Sequence, residues 1–150
     1  MNEKFMLEAI RLAKKAYKQG EIPIGAVIVK DNKIISKAYN LRQTKKDVTM
    51  HAEIIAIKKA CKKLKSWHLD NCDIYITLEP CYMCAGAIIS ARISNCYYGA
   101  SNLRFGSISG ECNLFSLKHN HHVNAIGGIL ESESSQIITD FFSDIRKNKK

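Results

Sequence analysis

The sequence predicts a single layered α/β domain. Segments with helical apolar periodicity alternate with short β-branched and aromatic segments along the chain. Turn residues sit at the junctions. No linker, internal repeat or low-complexity block divides the 150 residues. A chain of this length suits one compact domain, residues 1–150, and can bury about 70% of the surface its unfolded form exposes. Its hydrophobic fraction of 46%, with only two prolines and eight glycines, is that of a globular protein, not a disordered one.

The elements follow in order. Residues 3–19 predict a helix: Phe5, Ala9, Leu12 and Ala16 share a face with Met6, Ile10, Ala13 and Tyr17, and Gly20 stops it. "IPIGAVIVK" and "KIISKAYN" flank Asp31-Asn32 and predict a hairpin. A second helix runs from near His51 to about Leu64, with Ile54, Ile57, Cys61 and Leu64 as its buried stripe. Lys58, Lys59, Lys62, Lys63 and Lys65 form its wet side, weighed as solvation ahead of an RNA site. "DIYITL" is a third strand. Pro80 suits the first turn of a third helix, ending near Arg92, and "NCYYGA" is a fourth strand. Residues 101–122 are loop-rich and hold His119, His121 and His122. "VNAIGGIL" is a fifth strand. A last helix spans about 132–146 on Ile137, Ile138, Phe141, Phe142 and Ile145, with at least one of the two phenylalanines in the core. The basic tail, 145–150, is expected to fray.

No stretch of about 20 apolar residues is present, so no membrane-spanning helix is expected. The N-terminal segment lacks the apolar block of a signal peptide, which points to a reducing, cytoplasmic setting. There the six cysteines are not a disulfide framework. Cys81 and Cys84 form a C-x-x-C pair; Cys61, Cys72, Cys96 and Cys112 are expected as small buried residues. The net charge of +9 makes a polyanionic partner plausible, with a lysine-rich solvated surface as the alternative.

Chemistry concentrates in two places. Residues i and i+3 of a helix share a face, so Cys81 and Cys84 can aim both sulfurs at one ion, and a helix N-terminus favours thiolate. His51, at the start of another helix, can supply a third ligand. Glu53, two residues on, would point about 200° away if the helix is already wound there. It is then a neighbour of whatever sits on the metal, not a co-ligand. Three protein ligands leave a fourth position for water, as in a catalytic zinc site. A fourth ligand from His119, His121 or His122 would make the site structural instead. His68 is expected as a surface histidine.

His51-Ala52-Glu53, then Pro80-Cys81-Tyr82-Met83-Cys84, is the H-x-E and P-C-x-x-C signature of zinc deaminases. Together with "EIPIGAVIV", "AYNLRQ", "TLEPCYMCAGAI", "YYGA" and "FFSDIR", the chain resembles bacterial tRNA-specific adenosine deaminases from Glu21 to Arg146. The resemblance implies a cytidine deaminase-like three-layer α-β-α sandwich around a mixed five-stranded sheet. It implies one Zn²⁺ per subunit on His51, Cys81 and Cys84, with Glu53 as proton shuttle. Zinc-bound hydroxide would then convert adenosine to inosine at position 34 of a tRNA anticodon arm. It further implies that Asn40 and the Ala52 N–H orient the purine and that Ile24 is an apolar wall. Arg104 and Arg146 would contact RNA, and the enzyme would be a homodimer. For Ile24 plain core packing, and for Asn40 a turn-capping role, stay open.

Two departures matter. Where the family commonly has an acidic residue near the ribose, this chain has Asn102. An amide bonds a 2′-OH more weakly than a carboxylate, so relaxed discrimination of RNA from DNA is expected. "FGSISGECNLF" also replaces the usual run of small residues, which bears on Arg104. A guanine or cytosine deaminase on the same fold, and a non-catalytic RNA-binding module with a structural zinc, are the alternatives.

Overall fold

The computed structural model of the chain describes residues 1–148. It contains helices α1 (Glu3–Lys18), α2 (Arg42–Lys45), α3 (Ala52–Leu64), α4 (Tyr82–Ser90) and α5 (Glu131–Asn148). The strands are β1 (Gly25–Lys30), β2 (Lys33–Tyr39), β3 (Cys72–Leu78), β4 (Asn95–Ala100) and β5 (Asn124–Ile126), and a 3₁₀ turn covers Leu114–Ser116. The sheet order is β2-β1-β3-β4-β5. β1 pairs antiparallel with β2 and β3, whereas β3–β4 and β4–β5 are parallel. The mixed five-stranded sheet and three layers match the expected fold.

Side-chain alternation along the central strands builds both cores. Val27, Val29, Tyr75 and Tyr97 face α1 and α5, packing with Phe5, Met6, Ala9 and Ile10. Ala26, Ile28, Ile74, Ile76 and Cys96 face the other way, against Ala52, Ala56 and Ala60 of α3 and Ile88 and Ile89 of α4. Gly25 starts β1 because a Cβ there would lie 1.9 Å from the Ala9 carbonyl oxygen, so α1 closes directly onto the strand. The hairpin turns on Asp31 and Asn32, with φ of 51° and 60°. That is the pair of left-handed residues a type I′ turn requires.

Several elements differ from expectation. The fully buried stripe of α3 is Ala52, Ala56 and Ala60, four residues apart; Ile57, Cys61 and Leu64 are its half-buried margin, and Ile54 is half-buried. Small side chains let the helix lie close to the sheet. Pro80 precedes the Cys81 cap of α4 and is not in its first turn. β5 is only three residues long. Next to it, a Cβ on Gly127 would strike the Tyr98 ring at 2.3 Å, and Gly128 has φ of 85°. The last helix continues to Asn148, so the segment expected to fray is helical from 145 to 148; residues 149 and 150 lie outside those described. Phe141 is core and Phe142 is 39% exposed. Cys72 and Cys96 are buried but Cys61 and Cys112 only half-buried, and all six cysteines are free thiols. Among the described residues no helix is long and apolar enough to cross a membrane.

The one-turn helix α2 was not expected. It forms because the buried carboxylate of Glu21 accepts hydrogen bonds from the Gln43 amide (3.0 Å), the Thr44 amide (2.6 Å) and the Thr44 hydroxyl (2.6 Å). Burial pushes the Glu21 pKa up; the Thr44 and Gln43 bonds and nearby Arg42 outweigh it, leaving the pKa below the ordinary 4.5. A lowered native pKa means this stabilisation is fully present above the unfolded value and is lost as pH falls through the native one. Glu21→Gln should therefore cost about 1.5–3 kcal/mol in urea unfolding at pH 7. The deficit should shrink below about pH 4.5; a gap independent of pH would refute the anchor.

Candidate active site

Two helices of one layer begin at the same place. His51 is the N-cap of α3 and Cys81 the N-cap of α4, both with extended backbone (ψ of 153° and 175°), and neither side chain caps its own helix. Cys81 lies three residues beyond the end of β3, the position at which open α/β sheets place ligands. Cys84, in the first turn of α4, is fully buried. Both positive helix ends thus meet a site built for anionic sulfur.

The His51 Nδ1 atom stands 3.7 Å from Cys81 Sγ and 3.5 Å from Cys84 Sγ. The three ligand atoms lie within 4.8 Å of one another. A tetrahedral Zn²⁺ with Zn–S near 2.3 Å and Zn–N near 2.05 Å requires N···S separations of about 3.5 Å. The triangle fits such an ion, and Nδ1 is the nitrogen that faces it. Among the described residues no fourth His, Cys, Asp or Glu joins the group. Of the three histidines expected to compete for that place, His119 Nε2 donates to the Leu114 carbonyl and His121 Nε2 to the Ile93 carbonyl, each at 2.8 Å, and His122 is exposed and outside the group.

The charges agree with the donor set. A hydrogen bond from Cys84, then the contact with His51, holds the Cys81 pKa down to about 4 against its burial. The same Cys81–Cys84 bond, with burial, drives Cys84 up, and the bond to Cys81 raises His51. A cation bound there would favour both sulfurs as thiolates.

Glu53 is 3% exposed, and its Oε1 has no hydrogen-bond partner. It and the Ser134 hydroxyl are the two such buried side-chain oxygens among the described residues. Burial raises the Glu53 pKa. A buried carboxylate with a bare oxygen is costly, and it is what a proton carrier awaiting water and substrate looks like. As the sequence implied, it is a neighbour of the ligand group and not a member.

The remaining expected residues are placed as follows. Ala52 is buried at the first position of α3, where backbone N–H groups lack intrahelical acceptors. Asn40 is buried; its Nδ2 donates to the Ile22 carbonyl (3.2 Å) and its Oδ1 accepts from the Arg42 amide (3.2 Å). The turn-capping role is therefore real, and Leu41 N bonding Met50 O ties this turn to the start of α3. Ile24 is half-buried against the α3–α4 core. Asn102 Oδ1 accepts from the Phe105 amide, closing the loop after β4. Arg104 and Arg146 are exposed, the former with its guanidinium 5.8 Å from the Phe105 ring centre.

Sequence reasoning missed Glu79. Its buried carboxylate accepts from the Asn102, Ile108 and Ser109 amides and the Ser109 hydroxyl, at 2.5–3.1 Å. Burial pushes its pKa up, and these bonds overcome that and hold it below the ordinary value. It fixes the loop 102–109 beside Pro80 and Cys81. The signal was an acid directly continuing the apolar strand "DIYITL".

A family model described as MafB19-like deaminase matches residues 1–146. The chain is 42% identical to the tRNA-specific adenosine deaminase of Bacillus subtilis, over 99% of this chain and 93% of that protein. A solved structure from work on A-to-I editing by tRNA:A34 deaminases at the wobble position of transfer RNA is 42% identical. Its TM-score is 0.87, with 91% of this chain and 99% of that one covered. Guanine deaminase from Bacillus subtilis is similar at 38% identity and TM-score 0.66, covering 81% of this chain and 85% of that one. The donor triangle and the bare carboxylate oxygen thus occur in a chain that belongs to the tRNA-specific adenosine deaminase family.

Proposed function

We propose that this protein deaminates adenosine to inosine at position 34 of tRNA, using Zn²⁺ held by His51, Cys81 and Cys84. The observation that carries this is the three-donor triangle beside the unpartnered Glu53 oxygen, in a chain closely similar to enzymes of that name. When bound, Zn²⁺ supplies the Lewis acidity that makes water nucleophilic at neutral pH. Glu53 takes up the proton that the attacking water loses and passes it to the purine ring nitrogen; it then takes the proton of the new C6 hydroxyl, as that becomes the carbonyl, and gives it to the amine, which leaves as ammonia. The free N–H of Ala52 and the second hydrogen of Asn40 Nδ2 are the donors left to orient the base, and Ile24 walls it. Arg104 and Arg146 are assigned to RNA phosphates. Asn102 Oδ1 already accepts from the Phe105 amide, which leaves its NH₂ group and one oxygen lone pair for a ribose hydroxyl. A cytoplasmic homodimer completes the proposal.

The test is incubation of the purified protein with an adenosine-34 anticodon stem-loop and its DNA copy, with inosine read by mass. Inosine in the RNA is expected, and product in the DNA copy would report the relaxed ribose check at Asn102. Turnover of free guanine with none of RNA would move the chain to the small-molecule deaminases. RNA binding without any deamination would make it a binding module.

A further inference from the structure

The chain's charge is concentrated in one unit. From Lys33 to Leu69, covering β2, α2 and α3, there are ten basic and two acidic residues, a formal +8 of the chain's +9. One of the two acids, Glu53, is buried. β2 is an edge strand and α3 packs on β2 and β1, so these residues form one flank of the molecule. Lys45 of α2 and its C-cap Lys46, and Lys58, Lys62 and Lys63 of α3 and its C-cap Lys65, are exposed, and among the described residues none of the six is in an ion pair. Lys58 lies within electrostatic reach of Asp47, just past α2, which joins the two groups. At the far end the Trp67 indole is 62% exposed and lies against the His68 ring, centroids 3.7 Å apart.

Solvation alone accounts poorly for this face. Lys58 and Lys62, and Lys59 and Lys63, repel at i,i+4 spacing, and α3 has no exposed acid to relieve them. A helix face that needs only water mixes its signs. Lys59 has a structural task, donating to the Lys37 carbonyl of the edge strand at 2.8 Å; the other lysines of α3 have no side-chain partner among the described residues. The placement relative to the site is informative. α3 starts at His51, and Lys58 to Lys65 lie roughly 10 to 21 Å further along its axis, at about 1.5 Å per residue. They are too far to touch a reacting base and are well placed for the strand that carries it.

We propose that the outer face of α2 and α3, ending at Trp67, is a second RNA-contact surface. It takes the phosphates of the tRNA as the strand runs away from the reacting nucleotide. Trp67 offers a stacking platform at its end, the combination of cationic track and exposed ring that serves RNA elsewhere. The proposal rests on RNA being the substrate.

The test is anisotropy of fluorescein-labelled, full-length tRNA carrying adenosine-34, titrated with the full chain across a range of salt. Lys58, Lys62, Lys63 and Lys65→Gln together should weaken binding about tenfold or more near 0.1 M salt. They should also flatten the slope of log Kd against log salt by about 2–3, at roughly 0.7 per lost phosphate contact. The rate of inosine formation at saturating tRNA should not change. Lys4, Lys14, Lys15 and Lys18→Gln, on α1 in the opposite layer, removes the same charge and should change the slope little. Equal losses in both variants, or none in the first, would overturn the surface even if the protein makes inosine. Lysine-dependent binding without inosine would leave the surface standing and overturn the activity. A wild-type protein that does not bind tRNA would overturn both.

Discussion

Glu53→Gln should abolish deamination while leaving fold and metal in place. The expected loss in kcat is at least about 10²–10⁴-fold, the share a positioned acid–base group contributes. Glutamine fits because the carboxylate is buried but is not one of the metal-binding donors. It keeps the shape and removes the proton-carrying function together with the carboxylate charge beside the ligands. Metal content by atomic absorption should be unchanged. The melting temperature should not drop, because a buried carboxylate with one oxygen left without a partner is itself destabilising and an amide is less so. A variant that keeps near-wild-type kcat would remove Glu53 from the mechanism. One that loses zinc would make it a support for the ligands instead.

The second large effect concerns Cys84. This thiol is wholly buried between the imidazole and its partner sulfur, so Cys84→Ser exchanges one donor atom with little change of shape. Metal content should fall from one per chain to nearly none after dialysis, and activity should go with it. Stability should fall too. An ion that binds only the folded chain stabilises it by about 2.7 kcal/mol at a concentration a hundredfold above its Kd. Chelation should therefore lower the wild-type melting temperature, and returning zinc should restore it. The serine variant should melt at the same temperature with or without zinc. A wild-type melt indifferent to chelator would show that the triangle holds no tight ion.

The site's chemistry was legible because few residue types can do it. His51, Glu53, Cys81 and Cys84 announce themselves by type and spacing, and the helices that carry them by apolar period. The hairpin was legible from Asp31-Asn32, since those residues tolerate the left-handed backbone that a tight turn demands. What escaped depends on contacts between distant residues. α2 is one turn long and is held by Glu21, more than 20 residues earlier. The order in loop 102–109 comes from Glu79 across a similar gap. The α3 stripe was misplaced because alanine carries a weak apolar signal, yet close approach to the sheet selects small side chains over isoleucine. Whether His119, His121 or His122 completed the ligand set was a question of geometry alone. Carbonyls at Leu114 and Ile93, invisible to any pattern of side chains, engage Nε2 of His119 and His121, and His122 lies exposed outside the group.

The two N-caps set a conflict between robustness and chemistry. A serine, aspartate or asparagine at His51 or Cys81 would close exposed amides of the helix behind it, a gain of typically about 1 kcal/mol each. The side chains actually there make no capping hydrogen bond, and His51 Nδ1 and Cys81 Sγ face each other at 3.7 Å. Substitutions chosen to harden this fold would therefore be drawn to the two positions where hardening is fatal to function. Without a bound metal the chain should open first at the ends of these two helices, and an ion held by His51, Cys81 and Cys84 would tie the two ends together.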